Sequence, residues 1–202
     1  MKVFKNIVIW LLTLCAIASL CVFLFINFCC GKVVVDGTSM NPTLQTGELG
    51  LFIKKDTIFS NIKRNDIVIF DGELSDESEL LIKRVVGLPG DHVKISLDGS
   101  ILVNDQELNQ SYISQEQILA TYQLVNLRNM DVTLQEDEYF VLGDNRLVSF
   151  DSRIFGPIKE SQLKGEFKLS YGRFKNYDSS TNEGSDKSLF PLKWFTEVLW
   201  NL

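Results

Sequence analysis

The chain shows three regimes of apolar and polar positions. From Ile7 to Cys30 apolar residues run almost unbroken, with Thr13, Ser19 and Asn27 as the polar interruptions. A helix over this stretch, at about 1.5 Å per residue, is roughly 36 Å long and can cross a hydrocarbon core of about 30 Å. From residue 32 the pattern changes to short apolar runs between Gly, Asp and Asn turns. Val33–Val35, Gly47–Ile53, Asp66–Phe70, Leu80–Gly87, His92–Ile95, Ile101–Val103, Tyr139–Leu142 and Gly165–Tyr171 each read as a strand. Gln115–Leu127 fits either a short helix or a loop. Such spacing predicts a mainly β domain, a sandwich or partly closed barrel, behind one N-terminal transmembrane helix. In the third regime, residues 176–187 (NYDSSTNEGSDK) read as a polar linker. Beyond it Phe190, Trp194, Phe195, Val198, Leu199 and Leu202 recur at helical spacing, as an interfacial helix or a terminal helix packed on the domain. The expected units are a cytoplasmic stub and anchor over 1–31, an extracytoplasmic domain over 32–175, and a linker with an apolar amphipathic segment over 176–202.

Charge sets the orientation. Lys2 and Lys5 are the only charged side chains before residue 32. The positive-inside rule then puts the N-terminus in the cytoplasm and residues 32–202 outside, as a single-pass protein of the cell membrane. A cleavable secretory signal would have a shorter apolar core ending in small residues, whereas this one ends Ile26-Asn27-Phe28-Cys29-Cys30. The net charge of the chain is −6, and residues 32–202, with 18 basic and all 26 acidic residues, carry −8. Nucleic acid, which needs a basic face to release counterions, is not an expected partner. The chain has one histidine, His92, and its four cysteines all lie in the apolar N-terminus. The external part therefore offers no zinc-type ligand set and folds without disulfides.

Candidate chemistry gathers in three segments. The first is Gly37-Thr38-Ser39-Met40-Asn41-Pro42-Thr43-Leu44, the second Ile82-Lys83-Arg84-Val85-Val86-Gly87-Leu88-Pro89-Gly90-Asp91. The third runs Gly143-Asp144-Asn145-Arg146-Leu147-Val148-Ser149-Phe150-Asp151-Ser152-Arg153. A serine at a strand end in a Gly/Pro turn exposes its hydroxyl beside backbone N–H groups, which suits a nucleophile. It needs a base. His92 beside Asp91 in sequence does not make a triad and reads as a surface or structural histidine. Lys83 is the remaining base type, set inside the apolar run Leu-Leu-Ile-Lys-Arg-Val-Val-Gly. Burial there would favour the neutral amine, and the alternative is an edge-strand lysine facing water. Asp144, Arg146, Asp151 and Arg153 fit a buried ion-pair network that holds a loop, or else a solvated charged turn.

In this order, and behind an anchor, the three segments resemble those of type I signal peptidases (leader peptidases), especially the small single-anchor forms of Gram-positive bacteria. The resemblance covers most of residues 1–172. It implies an antiparallel β architecture with a coiled catalytic sheet and a small second subdomain. By the same resemblance Ser39 is the nucleophile, Lys83 the general base and Ser149 the hydroxyl that orients the lysine. Arg84, Asp144, Asp151 and Arg153 become structural ion-pair residues, and Val33, Val35, Leu44 and Ile82 line pockets for small side chains. The oxyanion hole would use backbone N–H groups of Ser39 and Gly37, where some members carry a serine at the latter position. No metal or organic cofactor is implied. The implied substrates are exported preproteins cut after an Ala-x-Ala signal. The implied partners are those preproteins, the lipid bilayer and the secretion translocon. Three alternatives stay open. One is a non-proteolytic relative that assists pilus or surface-protein assembly, though such relatives lack the Ser/Lys pair. Another is a self-cleaving Ser/Lys repressor-type protease, which would be cytosolic. The last is an anchored β domain that binds a surface partner.

Overall fold

The computed structural model describes residues 2–57, 61–72, 79–123, 129–178, 180–181 and 183–194. Helix α1 spans Lys2–Cys29, and its segment Val3–Cys29 is long and apolar enough to cross a membrane. No residue in its most apolar 18-residue window is buried within the chain. β1 (Cys30–Val34) follows without an intervening residue. The strand expected from Val33 thus starts three residues earlier and takes Cys30 out of the anchor. Pairing explains this, because Cys30 to Val34 lie in continuous antiparallel register with Ile53 to Leu49.

The chain continues through β2 (Glu48–Lys54), β3 (Ile67–Gly72), β4 (Glu79–Gly87), β5 (His92–Ile95), β6 (Ile101–Val103) and β7 (Gln106–Glu107). Then come α2 (Gln115–Ala120), β8 (Asp131–Thr133), β9 (Glu138–Leu142), α3 (Ser152–Phe155), β10 (Ile158–Lys159), β11 (Leu163–Asp178) and β12 (Glu183–Trp194). Among these described elements the large sheet has the order β1-β2-β11-β3-β4-β9-β10, with β12 also on β11; a small sheet has the order β7-β6-β5-β8. The helix-or-loop segment resolves to a helix of only six residues, Ser114 capping it by accepting from the Gln117 N–H; residues 124–128 lie outside the described set.

β11 organises the large sheet. Its first part lies between β2 and β3, and from Leu169 onward β12 pairs with it. Register shifts against β2 between Phe167 and Leu169 and between Ser170 and Gly172 mark bulges, which add twist and curl the sheet. Each link from β1 through β2, β11 and β3 to β4 is antiparallel, so β1 and β4 run in the same direction.

The core follows from the two-residue period. Ile67 and Ile69 of β3 pack with Val35, Met40, Leu44, Ile82 and Phe167. The intervening Val68 and Phe70 pack with Val85, Val141, Ile158 and Leu163. A continuous apolar run such as Ile-Val-Ile-Phe is what a strand covered on both faces requires. A third cluster joins Val86, Phe140 and Leu142 of the large sheet to Val93, Ile95, Ile101 and Val103 of the small one.

The expected linker is corrected, and the first two positions of the expected C-terminal helix, Phe190 and Trp194, lie in a strand. Residues 176–178 and 183–194 continue a β11–β12 hairpin, with Tyr177 opposite Gly184 and Leu169 opposite Trp194. A polar two-stranded ribbon has no buried face to impose alternation, so it looks like a linker in sequence. The turn carries its own signal, since Asp178 Oδ1 accepts from the Ser180 N–H at 2.9 Å and from its hydroxyl at 2.7 Å. The Phe190–Trp194 interval, one helical turn, is also an even step along a strand. Phe195, Val198, Leu199 and Leu202 lie outside the described residues.

Phe167 is fully buried at the centre of the first cluster. Phe167→Ala is expected to destabilise the domain by about 3–5 kcal/mol, read by urea denaturation of the detergent-solubilised chain.

Candidate active site

Beyond β1 the backbone keeps one more rung with β2, the Val35 N–H donating to Glu48 O and the Gly47 N–H to Val35 O, both at 2.8 Å. At Gly37 the chain then turns with a φ of +84°, a region open to glycine and costly for other residues. The next turn is closed by the Asn41 N–H to Thr38 O at 3.1 Å and the Leu44 N–H to Met40 O at 3.0 Å. Met40 and Leu44 are buried in the first core cluster and plug this loop into the sheet, while Ser39 stays half-buried. From the third segment, the Asn145 N–H donates to Ser39 O at 3.0 Å and Asn145 Nδ2 to Thr38 O at 3.2 Å.

Lys83 comes from β4 and is only 3% exposed. Its Nζ donates to Ser39 Oγ at 2.9 Å and to Ile82 O at 3.1 Å. Burial lowers its pKa from an ordinary 10.5 to about 8, against the opposing pull of Asp151 and Asp144. That fall is worth about 3 kcal/mol in favour of the neutral amine. With the proton gone, the same contact can run the other way, the serine hydroxyl donating to the nitrogen lone pair. Among the described residues no acceptor takes the Ser39 N–H.

Two arginine–carboxylate pairs brace the site. Arg84 Nε and Nη2 donate to Asp144 Oδ1 and Oδ2 at 2.9 and 2.6 Å, and Arg84 Nη1 donates to Asn65 O at 2.7 Å. The guanidinium also lies 4.1 Å from the centre of the Tyr112 ring. Asp144 Oδ2 accepts from Thr43 Oγ1 at 2.5 Å, tying the serine loop to β4. Arg153 Nε and Nη2 donate to Asp151 Oδ1 and Oδ2 at 2.8 and 2.9 Å. Asp151 also caps α3 and accepts from the Gly143 N–H at 3.0 Å. At Gly143 a Cβ would come within 2.1 Å of Ser149 Oγ and 2.5 Å of Ser39 O, so only glycine fits between them.

The anticipated site residues thus fare differently. Ser39 and Lys83 are in contact, and Arg84, Asp144, Asp151 and Arg153 form the two buried pairs. Ser149 is fully buried behind Gly143, but among the described residues its hydroxyl has no hydrogen-bond partner, so the expected bond to Lys83 is not formed. Val33, Val35, Gly37 and Ile82 line a cleft of about 580 Å³ that reaches Ser39 and Lys83. Leu44 does not reach it and sits in the core with Val35 and Ile82. Leu49, Tyr171 and Phe174, which sequence reasoning missed, complete the cleft wall. They become visible only once the register of β11 is known. Also unforeseen is the seating of Arg146, whose Nη1 donates to Gln110 Oε1 and Thr121 Oγ1 at 2.7 and 2.6 Å. The small subdomain thereby grips the third segment.

A family model described as signal peptidase, peptidase S26, matches residues 7–172. The chain belongs to this family. A signal peptidase I of Bacillus caldolyticus is 35% identical over 178 residues, 83% of this chain and 91% of its own length. Signal peptidase I V of Bacillus subtilis (strain 168) is 39% identical over 65% of this chain and 79% of its own length. Signal peptidase IB of Staphylococcus aureus (strain COL) is 29% identical over 91% of this chain and 99% of its own length. Among solved structures, a signal peptidase I from Enterococcus faecalis V583 is 29% identical, covers 52% of this chain and 96% of its own, and has a TM-score of 0.42. As a member of the signal peptidases the chain is an enzyme, a peptidase, with a mainly antiparallel β fold behind one N-terminal apolar helix.

Asp144→Ala would leave the Arg84 guanidinium buried without its carboxylate. The expected loss is about 3–5 kcal/mol of stability, measured by thermal unfolding in detergent.

Proposed function

We propose that the chain is a membrane-bound serine endopeptidase that removes N-terminal signal peptides from exported preproteins with a Ser39/Lys83 dyad. The observation that carries this reading is the 2.9 Å contact between Lys83 Nζ and Ser39 Oγ, at the end of a cleft and with the amine buried. Neutral Lys83 takes the Ser39 hydroxyl proton as Oγ attacks the scissile carbonyl. The Ser39 N–H, with that of Gly37, faces the developing oxyanion. Protonated Lys83 then gives its proton to the leaving amine. Neutral again, it activates the water that hydrolyses the acyl-enzyme. Arg84, Asp144, Asp151 and Arg153 keep the two reacting loops in register. The Ser149 hydroxyl, held close to Ser39 across Gly143, is the spare group that takes Lys83 Nζ once Ser39 Oγ is acylated.

β1 and the start of β4 face each other across the cleft. β9 pairs with β4 at Arg84, Val85 and Gly87, so among the described residues Leu80–Lys83 offer an edge on that side. A substrate strand can pair with both edges by β-augmentation. Val33, Val35 and Ile82 would form pockets for small side chains one and three residues before the cut, in keeping with an Ala-x-Ala signal. α1 would cross the bilayer with Lys2 and Lys5 in the cytoplasm and the β domain outside, where the secretion translocon delivers its substrates.

Ser39→Ala should abolish cleavage of an Ala-x-Ala precursor, with the cut site read by mass spectrometry. Lys83→Ala and Lys83→Arg should each lower turnover by about 10²–10⁴, because arginine cannot shed its proton. Wild-type cleavage by Lys83→Ala would sink the dyad.

The pH dependence follows from a base that works when deprotonated. Below about 8 the protonated fraction of Lys83 grows. In a pH series on a soluble peptide, kcat/KM should fall about tenfold per unit on the acid side and level off above it.

A further inference from the structure

Two peptide units meet at the Ser39 Cα, and Asn145 holds the carbonyls of both. Its N–H donates to Ser39 O at 3.0 Å, and its Nδ2 donates to Thr38 O at 3.2 Å. The Thr38 oxygen also closes the local turn by accepting from the Asn41 N–H at 3.1 Å. The turn bond sets that oxygen within the serine loop, and Asn145 sets the loop against the third segment. Both peptide units are trans, since the only cis bond among the described residues lies between Asn41 and Pro42. In a planar trans unit C=O and N–H point in opposite directions. Drawing the Thr38 oxygen toward Asn145 therefore turns the Ser39 N–H away from it. That N–H has no acceptor among the described residues, and neither has the N–H of Met40. Fixing both planes also fixes φ and ψ at Ser39, and with them the direction in which Oγ leaves the backbone.

Asn145 is fixed in its turn. Its own carbonyl accepts from the Val148 and Ser149 N–H groups at 3.2 and 3.0 Å. On one side Asp144 is locked to Arg84 and Thr43, and on the other Arg146 is seated on Gln110 and Thr121. With the backbone pinned at both neighbours, the carboxamide is the part left to orient. Its nitrogen can serve a carbonyl and its oxygen cannot. Gln117 of α2 sets the choice, because its Nε2 donates to Asn145 Oδ1 at 3.4 Å and leaves Nδ2 to Thr38. Gln117 Oε1 has no partner of its own among the described residues. A chain of contacts thus runs from the small subdomain through Gln117 and Asn145 to the serine loop.

We propose that Asn145 is a positioning residue for the oxyanion site: it aims the Ser39 N–H at the carbonyl under attack, and Gln117 holds its carboxamide in the donating orientation. The proposal rests on the Ser39/Lys83 peptidase reading. Gly37 brings no hydroxyl to the site, so the developing charge depends on backbone donors. A donor already aimed stabilises that charge more than one that must first swing into place. Asn145 is not among the residues that line the cleft and makes no bond to Lys83. Its effect therefore falls on the transition state and spares both substrate binding and the titration of the base.

The test uses the full chain in detergent, a soluble Ala-x-Ala peptide as substrate and the peptide aldehyde Ala-x-alaninal as inhibitor. Ser39 Oγ adds to the aldehyde carbon, its proton passes to Lys83, and the former carbonyl oxygen takes the negative charge. Aldehyde affinity thus reads the oxyanion site. Asn145→Ala should lower kcat by about 10–100-fold with KM within about twofold, and weaken the aldehyde by the same factor. The acid limb of the pH profile should keep its midpoint, a result that general damage to the site would not give. Gln117→Ala should lower kcat about 2–5-fold in the wild-type chain and have no further effect in Asn145→Ala, because it acts through that carboxamide. Gln117 is half-buried on a short helix, so its single variant tests the proposal even where Asn145→Ala fails to fold. Wild-type kcat in Asn145→Ala, a fall in kcat with unchanged aldehyde affinity, or independent effects of the two substitutions each overturn the proposal. All three leave the peptidase reading intact. If the unaltered enzyme does not cut the peptide, the peptidase reading itself falls and the role of Asn145 with it.

Discussion

A lysine can act as a base only where its proton is unwelcome, and opposing forces set how firmly Lys83 holds its own. Removal from water pushes the proton off, while Asp151 and Asp144 attract it back. Two carboxylates this close, left bare, would restore the ammonium and with it an unreactive amine. Each is instead engaged by a guanidinium in a two-point pair, Asp144 by Arg84 and Asp151 by Arg153. The arginines thus have an electrical role beyond bracing. Each places positive charge directly on a carboxylate and so opposes the negative field that reaches the amine.

The same residues solve a problem of assembly. Ser39 and Lys83 are 44 residues apart, and the third segment begins some sixty residues beyond Lys83. Hydrophobic burial brings the elements near each other through Met40, Leu44 and Ile82, but burial is not directional. Direction comes from polar contacts. Asp144 holds both Arg84 on β4 and Thr43 on the serine loop, and Asn145 takes the Ser39 and Thr38 carbonyls. Gly143 lets these partners approach because it has no side chain to keep them apart. A small set of neighbouring residues thereby registers Ser39, on its loop, against Lys83 on β4.

Much of this was legible in the chain because it is written in local pattern. The anchor shows as an unbroken apolar run, and most strands show as β-branched runs between turns. The three chemistry-bearing segments stand out because serine in a Gly/Pro turn, lysine in an apolar strand and clustered opposite charges are each uncommon. What escaped is set by register or by distant packing. β12 and the end of β11 are polar on the page, and only pairing reveals them as strands. The family resemblance makes Leu44 a pocket residue, yet it packs in the core with Met40 and Ile82. Tyr171 and Phe174 reach the cleft through the curl of β11, and Gln110 and Thr121 meet Arg146 from the loop after β7 and the end of α2. None of these contacts leaves a trace in nearby sequence.

The two parallel strand edges that flank the cleft carry one further consequence. Their open amide and carbonyl groups, left to water otherwise, can pair only with a chain whose own backbone groups are free. A helix has already spent those groups on itself, and a folded domain has buried them. The slot therefore reads backbone state before it reads side chains, and admits only a stretch that has come unwound. On this view a precursor's helix must end before the scissile bond, and alanine pairs inside intact helices, the enzyme's own Ala16 and Ala18 in α1 among them, are passed over.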